Sequence, residues 1–174
     1  SVARWGLQFL ELAPDAKVLD CGCGGGANLK RLLKKCPQGV VKGIDYSPVS
    51  VEKSQKVNRA DIAEGRCAVL QGNVADRIFP EEQFDAVTAF ETVYFWIDLP
   101  QCFREIRRVL KTGGTFLICN ESNGDTGRDE KWTEKIDGMT IYKGTELKAY
   151  LEQAGFHDVQ IHKKKRWLCV TARK

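Results

Sequence analysis

Residues Val18 to Leu29 read V-L-D-C-G-C-G-G-G-A-N-L: a short apolar strand, an aspartate, four glycines in five positions, then the start of a helix. No other stretch constrains the chain so strongly. Glycines between a strand and a helix give a tight turn, and without Cβ atoms they let a ligand lie against the backbone. Amides at the helix N-terminus are expected to reach a nucleotide-like molecule there. The spacing Gly22-x-Gly24-x-x-Ala27 fits the looser dinucleotide fingerprint. The plain alternative is a strand-to-helix turn that binds nothing.

Asp20 separates the ligand classes. A pyrophosphate would bring negative charge onto a carboxylate two residues ahead of the first glycine. A ligand with a positive end is favoured instead. S-adenosylmethionine has that character, with an ammonium, a sulfonium and no phosphate.

Strand-like and helix-like segments alternate along the chain, as in an α/β fold with a largely parallel sheet. Val2, Trp5, Phe9 and Leu12 recur at helical steps, predicting an N-terminal helix within residues 1–13, stopped before Pro14. Strands are expected at Lys17 to Asp20, Val40 to Asp45, Cys67 to Gln71, Phe84 to Phe90 and Thr115 to Asn120. A final hairpin is expected from Val159 to His162 and Trp167 to Ala172. Ser47-Pro48 opens a helix predicted to run to about Ala63. Phe103, Ile106, Val109 and Leu110 mark the buried stripe of another, with Arg104, Arg107 and Arg108 on a solvated face. Thr145 is expected to cap a helix ended by Gly155. Residues 121–144 form a variable connection, polar and Gly-rich in its first part, with Trp132 isolated in it.

Four ordered motifs carry a family resemblance. V-L-D-C-G-C-G-G-G resembles motif I of the class I S-adenosylmethionine-dependent methyltransferases. F-D-A-V (Phe84 to Val87) resembles their fourth strand. E-I-R-R-V-L-K-T-G-G-T-F-L-I (Glu105 to Ile118) is similar to the segment leading into their fifth, with Thr112 where proline is usual. E-L-K-A-Y-L-E-Q-A-G-F (Glu146 to Phe156) resembles the helix before their last two strands. The resemblance implies one domain over residues 1–174, with a Rossmann-like, doubly wound, seven-stranded, mostly parallel sheet. Its last strand is antiparallel, helices cover both faces, and the cofactor lies across the C-terminal edge.

Asp45 ends the second strand 21 residues after Gly24, where nucleotide folds place an acid that accepts from both ribose hydroxyls. An Asx turn before Pro48 is its structural alternative. Tyr46 is expected either against the adenine or as a buried aromatic. Asn73 stands where the family usually has an acid, and its carbonyl can accept from the adenine amino group while the Val74 amide donates. Asp76 is an alternative acceptor, and Asn28 can reach the methionine end. The glycine loop itself contributes Gly22, Cys23 and Gly24. Phe90 to Trp96 follow the fourth strand, where the resemblance puts the methionine end against the substrate. Phe90 is assigned to the cofactor. Glu91, Tyr94 and Trp96, with Phe95 beside them, are assigned to the substrate pocket, Glu91 being the candidate catalytic group.

The implied reaction is direct in-line methyl transfer from S-adenosylmethionine to a small-molecule acceptor. Alignment and desolvation can supply much of the catalysis. An NAD-dependent oxidoreductase shares the glycine loop and Asp45, but not Asp20 or the downstream motifs. A methyltransferase acting on RNA or protein is also compatible with the sequence, as is a cofactor-binding protein without catalysis. The net charge of +4 on 174 residues is too weak to demand nucleic acid. The run His162 to Arg166 reads as a solvated hairpin or strand edge. Seven cysteines lie among apolar neighbours without zinc spacing, favouring reduced thiols in a cytoplasmic protein and no metal. No apolar run is long enough for a bilayer. The chain begins with Ser1, so loss of upstream residues by processing or trimming is an expectation. Nothing in the sequence fixes an oligomeric state.

Overall fold

The computed structural model describes residues 1–125, 127 and 129–174. Seven strands form one sheet: β1 (Lys17–Cys21), β2 (Val40–Asp45), β3 (Cys67–Gln71), β4 (Phe84–Phe90), β5 (Leu110–Asn120), β6 (His157–Lys164) and β7 (Trp167–Arg173). Their order is β3-β2-β1-β4-β5-β7-β6. The first five run parallel, and β7 lies antiparallel to both β5 and β6. The chain reverses its winding between β1 and β4, so a crevice opens at the carboxyl ends of these central strands.

Helices cover both faces of the sheet. On one face α5 (Leu99–Val109) and α7 (Gly144–Gln153) bury Phe103, Ile106, Leu147 and Leu151 against Phe84, Val87, Phe116 and Ile118. On the other, α1 (Val2–Gly6) and α2 (Ala27–Lys35) bury Val2, Leu29, Leu32 and Leu33 against Val18, Val41 and Leu117. All seven cysteines are free and buried. Burial of the apolar stripes, rather than helix propensity, holds these short helices in place.

Several boundaries depart from the sequence pattern. The N-terminal helix ends at Gly6 and continues only as a 3₁₀ turn, Leu7–Phe9, before Leu10 becomes extended. A Cβ on Gly6 would lie 2.0 Å from Cys119 Sγ, so this turn rests directly on the sheet. The helix predicted from Ser47 to Ala63 is two, α3 (Pro48–Val57) and α4 (Arg59–Ala63). Between them Asn58 Nδ2 donates to Gly26 O at 3.1 Å and to Ser54 O at 3.0 Å. Such side-chain bonding competes with helix continuation. Thr145 is not the cap of α7. Lys143 occupies that position, and its N–H donates to Glu146 Oε1 at 2.9 Å.

The arginines of α5 also differ from expectation. Arg104 is exposed, but Arg107 donates to Gly155 O, and Arg108 is half-buried against Glu105 and Phe79 O. Lys163 to Arg166 do form an exposed hairpin on the edge strand β6. Within the connection 121–144, Thr126 and Arg128 lie outside the described residues. The rest includes α6 (Glu130–Lys135), with Trp132 exposed, and is tied back by Thr140 N–H donating to Tyr94 O at 2.8 Å.

Gly26 shows how tightly α3 supports the loop. Its φ is +87°, and a Cβ there would fall 2.5 Å from Ser54 Oγ and 2.9 Å from Ser54 Cα. Gly26→Ala is expected to lower the unfolding free energy by roughly 2–4 kcal/mol, from backbone strain plus overpacking. Urea denaturation measures it, and a loss within error of zero contradicts the packing described.

Candidate active site

The glycine loop is held mainly by its own backbone. Gly22 and Cys23 N–H both donate to Ile44 O, at 2.8 and 3.0 Å, and Gly26 N–H donates to Cys23 O at 3.1 Å. Gly24 N–H donates to Asp45 Oδ2 at 2.9 Å. Only the Gly25 amide of the four-glycine stretch has no acceptor among the described residues. The N–H groups of Ala27, Asn28 and Leu29, which open the helix after the loop, likewise have no acceptor among the described residues, so the helix N-terminus keeps the donors the sequence expects there. A pyrophosphate needs several convergent donors, and this loop has already used most of them. What it offers is a surface without side chains, suited to a ligand lacking phosphate.

Two cavities flank this loop along the carboxyl edge of the sheet. One of about 540 Å³ is lined by Asp45, Tyr46, Asn73, Val74, Trp96 and Ile97 among others. A second of about 690 Å³ runs over Gly22 to Asn28 to reach Phe90, Glu91 and Lys53. Gly22, Asp45, Tyr46, Thr92 and Phe95 line both, so they are two lobes of one cleft. Of the residues expected at the cofactor, Gly22, Cys23, Gly24, Asp45, Tyr46, Asn73, Val74 and Phe90 all line it.

Both oxygens of Asp45 are anchored. Oδ2 accepts from Gly24 N–H, and Oδ1 accepts from Ser47 N–H at 2.9 Å. The Asx turn and the nucleotide-facing position thus coexist, because each carboxylate oxygen keeps a further acceptor site. Tyr46 is 75% exposed, which rules out the buried-aromatic alternative. Asn73 Oδ1 accepts from Ala75 N–H at 2.9 Å. The Val74 N–H has no acceptor among the described residues. Asp76 is exposed and lines neither lobe. Asn28 lines the loop lobe with its Oδ1 held by Arg31 Nη1 at 2.6 Å.

Asp20 is placed differently from its expected contact role. It is 1% exposed and lines neither lobe; its Oδ1 accepts from Thr88 Oγ1 at 2.8 Å across the β1–β4 pairing. Burial pushes its pKa up to about 7, opposed by the Thr88 hydrogen bond and reinforced by Asp45. The carboxyl thus sits beneath the loop, with Oδ1 held by Thr88.

Glu91 follows β4 in a left-handed conformation, φ +57°, which is strained for a non-glycine residue. The residue is exposed as a whole, yet its carboxylate folds inward. Oε1 accepts from Tyr94 OH at 3.1 Å and from Glu121 N–H. Burial of that end raises its pKa to about 7. Oε2 has no partner among the described residues. Tyr94, expected in the substrate pocket, is corrected: it is 3% exposed and lines neither lobe. Its hydroxyl instead ties Glu91 to Ser122 N–H, at 3.1 Å. Phe95, Trp96 and Ile97 form the wall in its place, Ile97 being fully exposed at the mouth.

Several residues of the site carry no sequence signal. Thr92 closes on the loop so tightly that a Cβ on Gly22 would lie 2.1 Å from its Oγ1, which also accepts from Trp96 Nε1. Ser54, Asn58 and Thr88 support the loop and Asp20 from below. Lys53 reaches over Gly25. Among the described residues no cluster of three or more His, Cys, Asp or Glu could hold a metal ion.

The buried carboxyl of Asp20 gives a signed pH test. Its native pKa is raised from 3.8 to about 7, so between those values the folded state binds more protons than the unfolded one. The stability tied to Asp20 is full below about pH 4 and is lost as pH rises through about 7. Asp20→Asn removes this dependence. Its stability relative to wild type is expected to increase from pH 5 to 8 in denaturation curves. A difference that stays flat over that range contradicts the buried, weakly acidic carboxyl.

Comparison with known proteins agrees with this cleft. Residues 19–118 match the model of a methyltransferase domain. Cycloartenol-C-24-methyltransferase of Arabidopsis thaliana is 31% identical over 156 residues, 84% of this chain and 46% of that protein. The chain thus spans less than half the length of that relative. A SAM-dependent methyltransferase from Aquifex aeolicus superposes with a TM-score of 0.79 at 21% identity, covering 99% of this chain and 88% of that one. Geranyl diphosphate C-methyltransferase from Streptomyces coelicolor A3(2), solved with S-adenosyl-L-homocysteine, gives 0.81 at 17%, covering 98% and 78%. The sheet order, the loop that has used its own amides and the matched domain model agree: the chain belongs to the class I S-adenosylmethionine-dependent methyltransferases.

Proposed function

We propose that this enzyme passes the methyl group of S-adenosylmethionine to a small-molecule acceptor, within one domain spanning residues 1–174. The observation that carries this reading is the junction of the two lobes at Thr92 and Phe95, beside the inward-folded Glu91. One lobe suits adenosine. Asp45 accepts from the ribose hydroxyls, Asn73 and Val74 face the adenine edge, and Tyr46 lies against the ring. The other lobe takes the methionine end along the loop, leaving the space by Glu91, Phe95 and Trp96 for an acceptor. Both named relatives with a stated substrate act on small molecules. The basic run at Lys163 to Arg166 is an exposed hairpin and lines neither lobe. No helix is long and apolar enough to cross a membrane. Seven free, buried thiols support a cytoplasmic setting.

The chemistry is an in-line displacement. An acceptor lone pair or π-bond forms the new bond to the methyl carbon as the carbon–sulfur bond breaks. The sulfur keeps that electron pair and leaves as neutral S-adenosylhomocysteine. The protein contributes alignment and exclusion of water. Glu91 Oε2 is free to orient the acceptor or to take its proton.

Titration calorimetry is expected to show S-adenosylhomocysteine binding and no NADH binding; tight NADH binding overturns the donor assignment. Asp45→Ala is expected to weaken S-adenosylhomocysteine by tenfold or more, about 1.4 kcal/mol, with circular dichroism unchanged. Unaltered affinity rejects the ribose role. For the acceptor, labelled donor is offered to a fractionated cell extract. Label is expected in the small-molecule fraction, and label confined to RNA or protein rejects the small-molecule reading.

A further inference from the structure

The methionine end of the donor carries a carboxylate as well as an ammonium, and the cleft must balance both charges. Taken together, the residues lining the two lobes include three carboxylates, those of Asp45, Glu91 and Asp98. They include one cationic side chain, Lys53 of α3. Lys53 extends along the crest of the glycine loop. From the position a Cβ would take on Gly25, its Cε is 3.3 Å, its Cδ 3.5 Å and its Nζ 3.6 Å away. Lys53 forms no ion pair with any described residue, unlike Lys56 one turn on, which pairs with Glu52. Beside it, the Gly25 N–H is the amide of the four-glycine stretch left without an acceptor among the described residues. An ammonium and a free amide therefore lie at the same residue of a cleft whose other charged side chains are acidic.

We propose that Lys53 Nζ and the Gly25 amide form a carboxylate-binding subsite for the amino-acid end of the methyl donor. This rests on the reading of the loop lobe as the methionine site. Asn28 is a poorer candidate for the same anion, since its carbonyl is turned to Arg31 and only its Nδ2 remains to donate. The Gly22, Cys23 and Gly24 amides cannot serve, because Ile44 O and Asp45 already accept from them. Glycine at position 25 leaves the space open: any Cβ would come within 3.3 Å of the Lys53 stem. The subsite would favour donors that keep the methionine carboxylate over decarboxylated ones.

The experiment compares two neutral-sulfur ligands that differ in the amino-acid group, S-adenosylhomocysteine and 5′-methylthioadenosine, by calorimetry. Lys53→Met is expected to weaken S-adenosylhomocysteine by about tenfold or more, the scale of a charge-assisted hydrogen bond. It should leave methylthioadenosine within twofold, and Lys53→Arg should restore most of the lost affinity. S-adenosylhomocysteine at full strength on Lys53→Met overturns the subsite while the donor assignment stands. Equal weakening of both ligands also overturns it, since Lys53 would then act on the loop as a whole. If wild type binds neither ligand, the reading of the cleft fails and the subsite falls with it. Decarboxylated S-adenosylmethionine supplies the selectivity arm. Wild type should prefer the intact donor, and Lys53→Met should lose that preference.

Discussion

The self-bonding of the turn between β1 and α2 is the constraint on which the rest of the site depends. Ile44 O accepts two loop amides and Asp45 accepts a third, so the end of β2 organises the end of β1. This is possible because β1 and β2 are adjacent and parallel, with Cys21 level with Ile44. Backbone groups that find partners inside the protein are no longer donors to a ligand, so from Gly22 to Gly26 only Gly25 keeps a free amide among the described residues. The same bonds decide the ligand chemistry. A loop with its amides bonded internally makes a poor phosphate cradle and a good floor for an uncharged or zwitterionic chain. The support below is equally specific, for Ser54 and Asn58 press on Gly26 while Thr92 presses on Gly22.

Much of this fold was legible in sequence because its signals are local. Gly22 to Gly26, the ordered segments Phe84 to Val87 and Glu105 to Ile118, and the alternation of strands and helices each fix a nearby piece of backbone. Asp45 was legible for the same reason, since its distance from the glycines follows from one strand–helix–strand unit. Features set by tertiary contact were not. Asn58 breaks its helix to reach a carbonyl 32 residues away, and nothing around Asn58 encodes that partner. Tyr94 lies between two apparent pocket residues but turns inward, because the Ser122 amide and Glu91 bracket its hydroxyl. Lys53 on a surface helix reads as solvated charge until Gly25 is seen beneath it.

Asp20 is a carboxylate whose burial its sequence position does not announce. From the residues alone, a carboxylate is expected against a positive ligand end. The carboxylate is instead buried below the loop, with Oδ1 bonded to Thr88. A charge need not touch a ligand to matter where the surroundings screen it poorly. Ionising Asp20 or Glu91 is opposed chiefly by burial. A cation arriving near them opposes that effect and draws both towards the charged form.

In the proposed reaction this coupling has a direction. The donor brings a sulfonium, and the transfer removes that positive charge from the sulfur. Before transfer, buried carboxylates and sulfonium stabilise one another. Loss of that charge would leave them uncompensated, and with an acceptor bound beside it Glu91 would be the carboxyl placed to take the released proton. By linkage, whatever favours ionisation of these acids favours donor over spent donor, and the reverse holds equally. The strained backbone of Glu91 fits that position. Its left-handed φ turns the side chain back towards the sheet edge, where Tyr94 and the Glu121 amide hold one oxygen. The other oxygen has no partner among the described residues, on the residue just before Thr92, which lines both lobes.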